Sequence, residues 1–241
     1  MSTRKKIVYV SEPPEGLFYI PQFLTAAQES ELLTHITAQP FEPYDHHGYK
    51  ANREVVYFGT VGDYGNTHNS TYADTEAAPK AFAEWLLPLR QRVAALASLG
   101  TDELAMALVA KYKVGAGIGW HRDRPQFGPS VFGISLASDA EMRFRRFVGE
   151  IEEIYKLNLE RRSAYIIGGP ARSVWQHGMS PVKQTRFSIT FRTMRDRKRG
   201  ASDSRHSPDQ LAQRLSELNL KTDTNTGADK QLSILNGFRY D

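Results

Sequence analysis

The chain has 241 residues, 40% hydrophobic and 24% charged, the make-up of an ordinary soluble globular protein of one domain with additions. It has no cysteine, which excludes disulfides, thiolate ligands and iron–sulfur clusters, and no apolar run approaches the ~18 residues of a membrane-spanning helix. The net charge of +4 leans towards a polyanionic partner, although Arg195, Arg197, Lys198 and Arg199 supply much of the excess and suit a solvated tail equally well.

Residues 1–14 read as a basic N-terminal arm. Its apolar stretch Ile7-Val8-Tyr9-Val10 is too short for a leader core, and a cytoplasmic monomer is expected. Gly16 to Pro21 reads as a short strand. Thr25-Ala26-Ala27-Gln28 is a capping-box pattern that opens a helix to about Ile36, with Leu32, Leu33 and Ile36 as its apolar stripe. Arg53 to Phe58 is rich in strand formers, whereas Gly62 to Thr75 has the composition of a long loop. Phe82, Trp85, Leu86, Leu89, Val93 and Leu96 recur at helical spacing across 79–99, with a kink or break expected at Pro88.

From Met106 the texture changes to short β-runs: 106–114, 131–136, 142–148, 154–159, 164–167, 173–176 and 185–193. Helices first and closely spaced strands afterwards predict a mainly β protein with N-terminal helices (α+β), the strands forming a double-sheet jelly roll. That domain spans 15–194. Residues 195–241 form a polar, basic C-terminal extension in which 208–220 has the pattern of one amphipathic helix.

The most informative residues are His121-Arg122-Asp123 with His177, 54 positions after the aspartate. On an extended segment residues two apart share a face, so His121 and Asp123 can reach one ion together. Two imidazoles and a carboxylate are the set that holds non-haem Fe(II) and leaves positions open for other ligands. An HxD pair alone is also compatible with a loop histidine beside a solvated aspartate.

Nine residues after His177, Arg186-Phe187-Ser188-Ile189-Thr190-Phe191-Arg192 alternates strictly between polar and apolar. A surface strand explains such alternation. An inward polar face is the other explanation, and its guanidinium forks would suit a dicarboxylate.

Taken in order, Tyr112 with its glycine-rich approach to Trp120, the HxD pair, the distal histidine and the Arg186–Arg192 strand resemble the AlkB-like Fe(II)/2-oxoglutarate dioxygenases. The resemblance implies a double-stranded β-helix with His121, Asp123 and His177 as iron ligands. It further implies that Arg186 and Tyr112 take the distal carboxylate of 2-oxoglutarate. Arg192 then lies near the cosubstrate and substrate, with Ser135 and Ser188 as minor contacts. The chemistry implied consumes 2-oxoglutarate and O2, yields succinate and CO2, and releases an N-methyl group of a DNA or RNA base as formaldehyde. The same cosubstrate chemistry on a protein side chain or a modified tRNA base is the first alternative, and a non-catalytic nucleic-acid-binding module is the second.

Two positions depart from the family pattern. Ala110 stands where an asparagine is common, so one cosubstrate hydrogen bond is expected to be missing. Pro125 stands where members acting on 1-methyladenine often keep an acidic residue, so base choice does not carry over.

A substrate base must be flipped out or single-stranded to reach the iron, which calls for stacking aromatics and backbone cations. Trp120, Trp175, Tyr49, Tyr57 and Tyr64 are the aromatic candidates, with Tyr64 in its polar loop the best placed for a lid. Arg143 and Arg145 share one face of a strand and read either as a phosphate-facing stripe or as a solvated edge. Asp45-His46-His47 reads as a loop rather than a second metal site.

Overall fold

The structure is a computed structural model that describes residues 6–46, 49–59, 81–194 and 213, without the side chains of residues 45, 46 and 49–51. The lid candidate Tyr64, the loop 62–75 and, apart from residue 213, the possible helix 208–220 lie outside the described residues.

Two sheets face each other. The larger has seven strands in the order β2 (Leu17–Ile20), β10 (Ala164–Ile167), β7 (Phe127–Leu136), β12 (Arg186–Met194), β5 (Met106–Tyr112), β4 (Tyr49–Gly59) and β3 (Glu42–His46). The smaller has five: β1 (Lys6–Tyr9), β9 (Ile151–Leu159), β8 (Ala140–Val148), β11 (Gln176–Met179) and β6 (Ile118–His121). From β5 onward successive strands alternate between the two sheets, except for β8 and β9, which pair within the smaller one, and every pairing is antiparallel, which makes the expected jelly roll. β1 falls in the segment read as an arm, yet it joins the small sheet parallel to β9.

The strict alternation of β12 decides the layering. Phe187, Ile189 and Phe191 point outward into a core shared with Leu32 and Ile36 of α1 (Ala26–Thr37) and Leu89 and Val93 of α2 (Leu87–Leu96). Arg186, Ser188, Thr190 and Arg192 therefore point between the sheets. The surface-strand explanation is set aside, because apolar helices cover the Phe face.

The expected capping box holds α1: Gln28 N donates to Thr25 Oγ1 at 3.2 Å and Thr25 N to Gln28 Oε1 at 3.0 Å. Pro88 neither kinks nor breaks α2 but sits in its first turn, after a 3₁₀ turn at Glu84–Leu86, where its missing N–H costs nothing.

Two expectations are corrected. Residues 173–176 are not a strand: Gly169–Ser173 form a short helix, α3, and the strand begins at Gln176. Pro170 in that helix's first turn supplies the start signal that β-forming Val174 and Trp175 mask. Asp45 and His46, expected in a loop, end β3 and pair with Lys50 and Tyr49, while His47 lies outside the described residues.

Candidate active site

Between the sheets lies a cavity of about 610 Å³ whose walls include His121, Asp123, His177, Tyr112, Arg186 and Arg192. β6 and β11 supply the histidines, and their antiparallel register sets His121 opposite His177. Their ring centroids are 4.3 Å apart. Small residues allow this approach. A Cβ on Gly178 would stand 2.9 Å from the Ile118 carbonyl oxygen, and one on Gly117 would stand 2.6 Å from that of Met179.

Asp123 follows the end of β6, and its Oδ2 is 3.6 Å from His177 Nε2. Two donors each about 2.1 Å from one ion are at most about 4.2 Å apart, so this pair fits a shared metal. His121 Nδ1 lies 2.9 Å from the Gly119 carbonyl oxygen and donates to it, which leaves Nε2 as the ring's lone-pair atom. Among the described residues no three such groups close around a common point as the side chains stand. Arg192 holds one face of the carboxylate, donating to Asp123 Oδ1 from Nη2 at 3.1 Å and Nε at 3.3 Å.

The electrostatics suit a metal. Burial pushes the His177 imidazole down to about 3, helped by the neighbouring His121, and burial lowers His121 as well. Burial would raise the Asp123 carboxyl, but Arg192 and then the two histidines outweigh it and hold it at about 2. At neutral pH the trio is two neutral imidazoles and a carboxylate, the protonation state that metal binding requires. His177 Nδ1 is buried with no hydrogen-bond partner.

Deeper in, Arg186 faces Tyr112 in register across β12 and β5, with its guanidinium carbon 5.2 Å from the ring centre. Its Nε donates to Ser135 Oγ at 3.2 Å, while Nη2 is buried and unpartnered. That is the state of a fork built to take an acid. Ser188 lines the cavity in register with Ala110 on one side and Ser135 on the other, and no amide side chain stands at 110.

Two lining residues escaped the sequence reading. Tyr165 of β10 reaches the cavity because Gly133 opposite it has no Cβ; an added one would collide with the ring. Burial raises the Tyr165 phenol above its usual range, so it stays a neutral donor. Arg53 of β4 lies in register with Tyr112 and lines the same cavity. Only strand pairing reveals either.

The substrate-side expectations divide. Trp120 lines the cavity, flanked by the guanidinium carbons of Arg143 at 5.0 Å and Arg145 at 4.7 Å from its ring centre. Neither arginine is part of the cavity wall. The phosphate stripe is corrected for Arg145, which is paired with Glu152 at 3.2 Å and donates to Gln176 Oε1 at 2.8 Å. Tyr57 is also corrected. It is 4% exposed and packs in the core with Val55, Leu108 and Met194, outside the cavity wall. Trp175 is likewise a core residue, packed with Met142 and Phe144.

A jelly roll with two imidazoles, a carboxylate and a buried arginine at one cavity defines a class of non-haem iron oxygenase. The family model described as the 2OG-Fe(II) oxygenase superfamily matches residues 16–192, and the chain belongs to that family. It is therefore an enzyme that uses Fe(II), 2-oxoglutarate and O2. Two of its curated relatives carry AlkB-homologue names. The chain is 30% identical over 185 residues to the alkylated DNA repair protein ALKBH8 homolog of Arabidopsis thaliana, covering 67% of this chain and 50% of that protein. It is 27% identical over 183 residues to the probable RNA/DNA demethylase ALKBH6 of Danio rerio, covering 72% and 73% respectively. This chain thus spans half the length of the Arabidopsis relative. Among solved structures, OsALKBH1 superposes with a TM-score of 0.54 at 18% identity, covering 76% of this chain and all of that one. A Trichoplax adhaerens prolyl hydroxylase superposes at 0.56 and 15% identity, covering 78% and 88%. These last two likenesses are of fold.

Proposed function

We propose that this chain oxidatively dealkylates N-alkylated bases of DNA or RNA, with His121, Asp123 and His177 holding Fe(II) and Arg186, Tyr112, Ser135 and Ser188 receiving 2-oxoglutarate. The observation that carries the reading is one cavity holding both the imidazole–carboxylate trio and the buried, half-partnered Arg186. When bound, iron and 2-oxoglutarate supply the oxidation that converts O2 and 2-oxoglutarate to CO2 and succinate.

The protein's part is geometry and charge. Arg186 presents its open Nη2 to the distal carboxylate, with Ser135 fixing the other edge of the guanidinium. Arg192 orients Asp123 by its two bonds to Oδ1, leaving Oδ2 turned towards His177. Apolar Ile118, Phe127 and Met179 help line the space and keep water from it. The printed names of the relatives, an alkylated-DNA repair homologue and a probable RNA/DNA demethylase, support a nucleic-acid substrate.

The test incubates Fe(II)-loaded protein with 2-oxoglutarate, O2 and a panel of N-methylated single-stranded oligonucleotides, following succinate and oligonucleotide mass together. Loss of one CH2 per methylated base with matching succinate is the expected result. Succinate with no change in any oligonucleotide would send the substrate search to proteins and modified tRNA bases.

A further inference from the structure

Five arginines line the cavity, Arg53, Arg122, Arg124, Arg186 and Arg192, against one carboxylate, Asp123. A divalent ion and a dicarboxylate cancel each other's charge, so the loaded cavity stays strongly positive. Arg192 is answered by Asp123, and Arg186 faces the cosubstrate pocket. Arg53 has no such assignment. It projects from the inner face of β4 beside Tyr112, with its guanidinium carbon 4.1 Å from the centre of the Tyr44 ring. Its Nε is buried without a hydrogen-bond partner, and among the described residues it makes no ion pair.

A guanidinium laid over an aromatic ring is fixed in orientation while its in-plane N–H groups stay available, and such a fork matches a phosphate. An unpaired cation held on a cavity wall costs stability and persists where a ligand compensates it. We propose that Arg53, backed by Tyr44, is a substrate-positioning residue that binds a backbone phosphate next to the base entering the cavity. The assignment rests on the nucleobase-dealkylase reading and adds to it the contact that sets how deep the nucleotide enters. Tyr44 acts by holding the guanidinium.

The experiment is fluorescence anisotropy with the full chain, Mn(II) and 2-oxoglutarate without oxygen. The probes are a short single strand with one N-methylated adenine and a twin whose phosphodiesters flanking that base are neutral methylphosphonates. The wild type is expected to prefer the charged probe by about tenfold, the worth of one charge-assisted hydrogen bond. Arg53→Gln should lose most of that preference and lower the salt slope of binding by about 0.7 for one ionic contact to a single strand. Arg53→Lys keeps the charge and should keep most of the preference, which separates the role from a mere packing defect. An equal preference in wild type and Arg53→Gln overturns the assignment while leaving the dealkylase reading standing. Failure of the wild type to bind these probes or any strand of the methylated panel overturns both.

Discussion

Arg186 is the largest fully buried side chain among the described residues, and a buried cation is costly unless something compensates it. The one neutral hydrogen bond to Ser135 is a partial answer. Arg186→Ala should therefore raise the KM for 2-oxoglutarate about thirtyfold, roughly 2 kcal/mol, with a smaller effect on kcat. Arg186→Lys should rescue little, because an ammonium does not reproduce the fork. Succinate formation against 2-oxoglutarate concentration measures both; an unchanged KM would move the dicarboxylate elsewhere.

The proposed metal trio divides in a way that its chemistry alone does not suggest. If His121 is a ligand, His121→Ala leaves only its carbonyl partner behind, so metal binding and turnover should vanish with little change in Tm. Asp123→Ala should lose turnover as well, but it also removes the buried carboxylate that Arg192 pairs with, costing about 2–4 kcal/mol on thermal denaturation. Equal stability losses in the two variants would show that the Arg192–Asp123 pair is not what fixes the carboxylate. These candidates could be picked out in the sequence because His121 and Asp123 stand two apart and His177 stands nine residues before the Arg186–Arg192 strand. Arg53 and Tyr165 were not, since nothing local distinguishes a strand arginine or tyrosine until β4 is paired with β5 and β10 with β7. Tyr57 misled for the same reason, its position along β4 placing it in the core beyond the cavity wall.

At the level of elements, the site depends on how closely β6 and β11 run. Gly178→Ala should push the Ile118 carbonyl away from β11 and displace His177 relative to His121. The expected result is a fold intact to within about 1–3 kcal/mol, with metal affinity weakened at least tenfold. Calorimetric titration with Mn(II) beside a denaturation curve separates the two quantities, and undiminished affinity would mean that the strands are not held by that contact. Strands with alternating or apolar runs, β5, β7, β8, β10 and β12, could be read ahead of the structure to within a few residues. β6 could not, because the four residues Ile118-Gly119-Trp120-His121 are too few to carry a periodic signal. The short helix α3 was hidden by the β-formers that follow it, so a strand was expected three residues early.

Across the whole molecule, the helical layer is tied to the jelly roll by one buried acid. Glu29 of α1 is 1% exposed and accepts Arg161 Nη2 at 2.6 Å and the Ala137 backbone N–H at 2.9 Å, with Arg162 at 3.5 Å. Arg161 and Arg162 lie in the β9–β10 turn, so this cluster joins the N-terminal helix to the strands that frame the cavity. Burial would raise the Glu29 carboxyl, but the hydrogen bond from Arg161, the Ala137 N–H and the two guanidinium charges together hold it below its ordinary range. A carboxyl depressed on folding stabilises the protein above its unfolded pKa of about 4.3, and that stability drains away as pH falls through the lower folded value. Glu29→Gln keeps the shape and removes the charge. Because Arg161 is half exposed and its attraction is screened, the loss at pH 7 should be about 1–3 kcal/mol. Denaturant titrations of both proteins at pH 7 and near pH 3 should show the gap narrowing on the acid side. A gap of constant size would mean that Glu29 acts by packing alone, and that its ionisation does not couple the helices to the sheet that carries the site.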